Sequence, residues 1–355
     1  MGRAAWVAAC GRRCARGGVC EYAVGMDYTE IQGRQVSRLG LGTWAIGGSE
    51  WGTVTDAEAI ATCIGAVERG INLIDTAPIY GHGRAEEIVG RAMRELGSRE
   101  AFYIATKAGL NWELTPGDPG CYADSRPERL RMELEESLRR LQTDFIDLYQ
   151  VHWPDTTVPV EETAGVLAEF VQAGKVGAVG VSNYNVGQME TFARVTPLAT
   201  NQPPYNLFER EIDAETLPWC QEHEVAVLTY SSLCRSLLGG RLKADTEFAE
   251  GDVRREDPKF QQPRYGQYLA AVERLKELAR ERYGKTVIEL AARWVLDRPG
   301  VSVALWGAKR PEQLDAVAGV VGWKLDAAAM SEIDRIVAEC VTDPVGPEYL
   351  TPAVR

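Results

Sequence analysis

Apolar and polar positions follow two alternating patterns along most of the chain. Short apolar, β-branched runs recur at 39–42, 71–75, 102–107, 145–150, 178–182, 199–202, 226–230 and 301–306. Each reads as a strand covered on both faces, as in a parallel sheet. The stretches 56–69, 84–96, 127–141, 160–173, 188–195, 213–222, a pair within 267–296, and 311–319 instead place apolar residues every three or four positions. That period predicts amphipathic helices. In the third, Leu130, Leu134, Leu138 and Leu141 form one stripe. Thr55 with Glu58, and Ser125 with Glu128, have the spacing of a capping box and place two helix starts. A last helix over 326–341 lies beyond the final unit.

Eight strand–helix units over about 300 residues predict an α/β fold of one domain, a (β/α)8 TIM barrel spanning residues 26–342. Residues 343–355 would form a C-terminal tail. Periodicity alone leaves an open, doubly wound sheet as a rival. Gly40-Leu41-Gly42-Thr43-Trp44-Ala45 formally matches a dinucleotide fingerprint. That match is weak, because no helix begins at Thr43 and a second glycine pair, Gly47-Gly48, follows.

Composition narrows the function classes. Of 355 residues 45% are apolar and 25% charged, which excludes disorder for most of the chain. Lys plus Arg number 39 against 51 Asp plus Glu, and the net charge of −12 argues against a nucleic-acid binder. No apolar run has the length of a membrane span. Residues 1–25 differ from the rest, with Arg3, Arg12, Arg13 and Arg16 against Glu21 alone, and with Cys10, Cys14 and Cys20. The apolar stretch 4–9 is too short for an export signal. An organelle transit peptide fits the basic, acid-poor composition, but a disordered extension ahead of a functional start at Met26 is the simpler reading. Cys63, Cys121, Cys220, Cys234 and Cys340 are scattered without paired spacing. They predict a reducing, cytoplasmic compartment, with neither a disulfide framework nor a metal site.

Polar residues gather where the predicted strands end. The second strand ends at Asp75, within Asp75-Thr76-Ala77-Pro78-Ile79-Tyr80-Gly81; the third ends at Lys107; the fourth runs into His152. The fifth ends Ser182-Asn183, the sixth at Gln202 and the seventh at Tyr230-Ser231. An apolar strand that ends in a charge must aim it at water, a partner or a ligand. Singly, each residue reads as a cap, a solvated side chain or a packed one. Together, at successive strand ends, they mark the rim where barrels carry their chemistry.

The segments Asp75–Gly81, Ala105-Thr106-Lys107-Ala108-Gly109, Gln150-Val151-His152-Trp153-Pro154 and Gly180-Val181-Ser182-Asn183-Tyr184 resemble the aldo-keto reductases. The start, Leu41-Gly42-Thr43-Trp44-Ala45-Ile46-Gly47-Gly48, resembles the bacterial branch that includes inositol-operon reductases. The resemblance implies an NADP(H)-dependent oxidoreductase on a β/α barrel. It would pass a hydride between nicotinamide and an aldehyde, ketone or alcohol carbon. The family tetrad matches Asp75, Tyr80, Lys107 and His152. A phenol with a pKa near 10 is a poor acid–base at neutral pH, and a neighbouring ammonium would favour its phenolate. Asp75 would hold Lys107, and His152 would donate to the carbonyl oxygen.

Cofactor contacts carry over in the same way. Gly42, Thr43, Trp44 and Asp75 fall at the barrel mouth beside the nicotinamide. Ser182, Asn183 and Gln202 match residues that hold its amide, and Tyr230 matches the ring that stacks on it. Ser231, Leu233, Arg235 and Arg241 lie where the family wraps the pyrophosphate. Gly307, Lys309, Arg310 and Gln313 match the loop and helix start that hold the 2′-phosphate, where a helix N-terminus and two cations suit an anion. The chain departs from the family at Ala316 and Val317, where an acid–Asn pair usually meets adenine, which puts the preference for NADP over NAD in question.

Trp44, Trp112, Trp153 and Tyr205 fall on rim loops and predict an aromatic substrate wall suited to uncharged sugars, polyols or other small polar carbonyls. The stretch 242–267 reads as a mobile cover or a solvated insertion. The expected partner is a small carbonyl or alcohol, with no nucleic acid and no membrane. Two other readings compete: a Schiff-base aldolase using Lys107, and a cofactor-binding regulatory subunit of the channel β-subunit type.

Overall fold

Eight parallel strands close into a barrel in sequence order in a computed structural model, which describes residues 25–48, 51–112 and 121–353. Residues 1–24 of the expected N-terminal extension therefore lie outside the described residues. The strands are β1 (Leu39–Gly42), β2 (Leu73–Asp75), β3 (Tyr103–Ala108), β4 (Ile146–Val151), β5 (Val176–Ser182), β6 (Thr200–Gln202), β7 (Ala226–Thr229) and β8 (Val301–Gly307). Closure is made by β8 on β1, with Leu305 opposite Gly40 and Gly307 opposite Gly42. The open-sheet rival is thereby excluded.

The surrounding helices are α1 (Asp56–Glu68), α2 (Arg84–Leu96), α3 (Pro127–Leu141), α4 (Val160–Gln172), α5 (Val186–Ala193), α6 (Thr216–Glu222), α7 (Arg264–Tyr283), α8 (Val287–Asp297) and α9 (Ala327–Cys340). Two apolar layers hold the molecule. One lies between strands and helices and takes in the α3 leucine stripe. The other fills the barrel with Leu73, Tyr103, Ala105, Leu148, Ala178, Ala199, Leu228, Val303 and Leu305, and is floored by Ile31 and Val36. Those two floor residues come from an antiparallel hairpin, Tyr28–Ile31 with Arg34–Ser37.

Side chains alternate along a strand, so residues two positions beyond the inner apolar layer also face inward. Asp75 follows Leu73, Lys107 follows Ala105, and Gln150 and His152 follow Leu148. The barrel core thus ends upward in polar groups because of strand period alone.

Several local expectations are corrected. Thr55 caps α1 in a full capping box with Glu58, but Ser125 caps nothing: α3 starts at Pro127 with Arg126 as its N-cap. Proline presets the first helical φ there, and the Ser125 N–H is spent on Asp155 at 2.8 Å. Residues Pro311–Gly319 wind as a 3-10 helix, not an α-helix. The insertion 242–267 is not merely solvated: Asp257 and Lys259 within it are fully buried. The C-terminal segment, as far as Ala353, packs back on the rest of the chain. The Ala353 N–H donates to the Cys121 carbonyl at 3.2 Å, and Lys259 Nζ donates to Gly346 O at 3.0 Å.

Candidate active site

The C-terminal ends of β2 and β3 bring a buried cation and anion together. Lys107 Nζ lies 2.7 Å from Asp75 Oδ1. It also donates to the Thr76 carbonyl at 2.9 Å and to Tyr80 Oη at 3.3 Å. Lys107 is 1% exposed and Asp75 2%. Such a pair persists only when the remaining lone pairs and protons are satisfied. Asp75 Oδ2 accepts from Gln202 Nε2 at 2.7 Å, which reaches across the barrel from β6. Burial pulls the Lys107 ammonium below its ordinary value, and Asp75 opposes that shift.

Tyr80 is carried on the turn after β2, and two glycines let the neighbouring loop close on it. A Cβ at Gly47 would come within 2.6 Å of the Tyr80 carbonyl carbon and the Gly81 nitrogen, and one at Gly81 within 2.3 Å of the Gly47 carbonyl. Gly81 also has φ +63. No larger residue permits this approach. Trp44 stacks on the Tyr80 ring with centroids 6.3 Å apart. The His152 ring meets Tyr80 edge-on at 5.8 Å. Burial first, and then the Lys107 charge, hold His152 well below its ordinary 6.5. It is therefore a neutral imidazole at physiological pH.

Asn183 ties the next strand ends together. Its Nδ2 donates to the His152 carbonyl at 3.1 Å and to Ser182 Oγ at 3.0 Å. Its Oδ1 accepts from Tyr230 Oη at 2.9 Å. Ser182 Oγ donates to the Gln202 carbonyl at 2.6 Å. Asn183 does this from the left-handed region at φ 61, a conformation an asparagine tolerates better than most residues.

Two connected hollows open on this cluster, with Trp44, Tyr80 and Tyr230 on the wall of both. The first, about 790 Å³, adds Ile79, Leu110, Cys121, His152, Trp153, Leu350 and Pro352. The second, about 1030 Å³, runs away past Gly42, Asp75, Ser231, Leu233, Arg235, Arg254, Gly307, Lys309 and Gln313. Its floor is conformationally unusual: Ser231, Cys234, Arg235 and Ser236 have φ of 55, 44, 51 and 71. Non-glycine residues held in the left-handed region mark constrained sites.

Most of the expected site residues thus converge. Four do not sit as expected. Thr43 is buried and gives both its N–H and its hydroxyl to the Asp75 carbonyl, at 3.0 and 2.9 Å. Trp112 stacks on His82 at 6.3 Å beneath the Arg129 guanidinium and lines neither hollow. Tyr205 is fully buried, stacks on Trp294 at 5.3 Å and donates to Asp213 at 2.6 Å. Arg241 is exposed and lines neither hollow.

The 2′-phosphate loop is also built differently from expectation. Gln313 Oε1 accepts the N–H groups of Lys309 and Arg310 at 2.8 and 3.0 Å, so those amides already have a partner. Sequence reasoning missed Leu350 and Pro352, which reach the first hollow from the C-terminal segment, and Trp51 and Arg254 on the second. No local pattern signals them, because each depends on long-range packing.

A family model described as the aldo/keto reductase family matches residues 38–338. The aldo-keto reductase YhdN of Bacillus subtilis (strain 168) is 49% identical over 332 residues, covering 93% of this chain and 99% of that protein. The structure of the glycerol dehydrogenase AKR11B4 from Gluconobacter oxydans superposes with a TM-score of 0.82 at 47% identity, over 90% of this chain and 98% of that one. An aldo/keto reductase from Klebsiella pneumoniae, solved with NADP and acetate, matches with a TM-score of 0.66 at 29% identity, over 88% and 95% of the two chains. The chain belongs to the aldo/keto reductase family and is an oxidoreductase of that class.

Proposed function

We propose that the protein is an NADP(H)-dependent reductase of small polar carbonyls, with Tyr80 as its general acid and base. The observation that carries this reading is the Lys107 ammonium held between Asp75 Oδ1 and Tyr80 Oη, at 2.7 and 3.3 Å. The second hollow suits a dinucleotide by the chemistry of its donors. It has amide side chains and aromatic rings at the Tyr80 end, and three cations, Arg235, Arg254 and Lys309, beyond. Ser182, Asn183, Gln202 and Tyr230 would hold the nicotinamide end, and Ser231, Leu233, Arg235 and Lys309 the phosphates. When bound, the reduced nicotinamide supplies the hydride that the carbonyl carbon receives. The relative from Klebsiella pneumoniae solved with NADP supports this choice of cofactor.

The proton side of the reaction belongs to the chain. Tyr80 Oη gives its proton to the carbonyl oxygen as negative charge develops there, and Lys107 stabilises the phenolate left behind. The phenolate then regains a proton from solvent. In the oxidative direction the same oxygen takes the alcohol proton. Neutral His152 orients the carbonyl as a hydrogen-bond donor. Asp75 and Gln202 keep Lys107 aimed at Tyr80 and away from nucleophilic duty. An amine already donating to Asp75, Thr76 and Tyr80 has no lone pair to attack a carbonyl, which disfavours the aldolase alternative. A complete tetrad facing a substrate-sized hollow favours catalysis over a purely regulatory role.

The first hollow mixes Trp44 and Trp153 with few charges, which suits uncharged polyols, sugars and small aldehydes. The likeness to a glycerol dehydrogenase, and that of residues 41–48 to the inositol-operon branch, support the same substrate class. Cys63, Cys121, Cys220, Cys234 and Cys340 are free thiols, in keeping with a cytoplasmic enzyme. The test is a panel of short polar aldehydes, aldoses, polyols and aromatic aldehydes with NADPH, followed by nicotinamide absorbance. Turnover is expected with the polar members. Absence of turnover across the panel, in both directions, would contradict the reading.

A further inference from the structure

Beside the cationic end of the second hollow lies a charge arrangement that the family assignment does not require. Arg310, next to the hollow-lining Lys309, directs its Nε at Glu58 Oε1 at 3.1 Å. Glu58 belongs to α1, a different element from the 309–313 loop. Its other oxygen, Oε2, is fixed by the Thr55 N–H at 3.0 Å and the Thr55 hydroxyl at 2.8 Å. The carboxylate is therefore clamped in place by the α1 cap. Those bonds and Arg310 hold its pKa down to about 2, so it keeps its charge at every working pH.

The neighbouring cations are engaged as well. Lys309 Nζ donates to the carbonyls of Trp51 and Gly52. Arg254 forks onto Asp252 at 2.8 and 2.6 Å. Both Glu58 and Arg310 act electrostatically on Lys309. Lys309 and Arg254 line the hollow, and Arg310, Glu58 and Asp252 pair beside them, where the cofactor reading puts the adenosine ribose. In Rossmann-fold sites, a different fold from this barrel, an acid accepts from a ribose 2′-hydroxyl while an arginine accommodates a 2′-phosphate. Here both groups are present as one pair.

We propose that Glu58 sets the balance between NADH and NADPH, opposing the 2′-phosphate that Arg310 would attract and keeping NADH usable. The proposal rests on the cofactor reading above and deepens it. Glu58 is a positioning and specificity residue; it touches none of the reacting atoms.

The test is equilibrium binding of NADPH and NADH by quenching of tryptophan fluorescence, together with kcat/KM for each. Wild type is expected to bind both. Glu58→Gln preserves the capping geometry and removes the charge. It should shift the Kd ratio toward NADPH about fivefold, an effect that shrinks in 0.5 M salt as partly exposed charges are screened. Arg310→Gln should shift the ratio toward NADH. Thr55→Val disturbs the cap but keeps the carboxylate, and should leave the ratio within about twofold. If Glu58→Gln leaves the ratio unchanged while both cofactors bind, the role of Glu58 is overturned and the cofactor reading stands. If wild type binds neither, both fall together.

Discussion

The site is organised around the buried ammonium of Lys107. Lys107 holds Tyr80 on one side and Asp75 on the other, so Lys107→Met should lower kcat by about a thousandfold, the scale of losing assisted acid–base transfer. Cofactor Kd by fluorescence should stay within about threefold, since Lys107 lies beneath the dinucleotide's expected path. A loss of binding equal to the loss of rate would argue that the residue only supports the cleft. His152 gives a pH prediction with a definite sign. Its folded pKa lies below the ordinary 6.5, so the unfolded chain binds more protons as pH drops below that value. The stability this confers is present above pH 6.5 and is lost on acidification. A His152→Gln variant should lose less Tm than wild type between neutral pH and about pH 5. An identical loss would place the acid sensitivity elsewhere. These residues were legible in the sequence because strand period aims Asp75, Lys107 and His152 alike, and because the segments around them resemble a known family. The departures at Ala316 and Val317 read differently in three dimensions: Val317 is 1% exposed and packs in the core, so its side chain makes no surface contact.

At the scale of elements, strand and helix alternation was readable to within a few residues, whereas capping and connection geometry was not. Ser125 and Glu128 had the right spacing, but the proline after Arg126 set the helix start. Trp112 and Tyr205 looked like wall residues because they lie near rim motifs, yet one stacks on His82 and the other on Trp294. Aromatic residues bury large area wherever a partner ring is offered, and sequence does not say which partner is near. The C-terminal segment was the largest omission. It crosses from Gly346 to Ala353, placing Leu350 and Pro352 in the first hollow and the Tyr349 ring under Arg235 and Lys259, at 4.8 and 5.2 Å. Ending the chain after Pro347 should raise KM for a preferred aldehyde about tenfold or more while cofactor Kd changes little. Steady-state kinetics with binding measurements checks this, and an unchanged KM would mean that the segment does not shape the substrate wall.

Across the whole molecule, a buried ionic network joins three segments far apart in sequence. Glu209 Oε1 meets Arg235 at 2.9 Å and Lys259 at 2.8 Å, and Arg235 Nε meets Asp257 at 2.7 Å. Arg235 also donates to Ser231 Oγ at 3.0 Å. The segments that follow β6 and β7 and the insertion are thereby tied to one set of charges, and Lys259 also reaches the C-terminal segment at the Gly346 carbonyl. All four members have side chains at most 1% exposed. Removing one charge leaves its partners uncompensated, so Lys259→Met should cost roughly 3–5 kcal/mol and lower Tm by roughly 4–7 °C in a thermal melt. A Tm within about 2 °C of wild type would show the network to be dispensable. The barrel rim brings Asp75, Lys107 and Tyr80 together, and the proposal that Tyr80 moves the proton is the one on which the rest depends. The direct measurement is kcat of Tyr80→Phe with a polar aldehyde at saturating NADPH, alongside NADPH Kd. A fall of about a thousandfold with unchanged cofactor binding is predicted; a rate within tenfold of wild type would contradict the account.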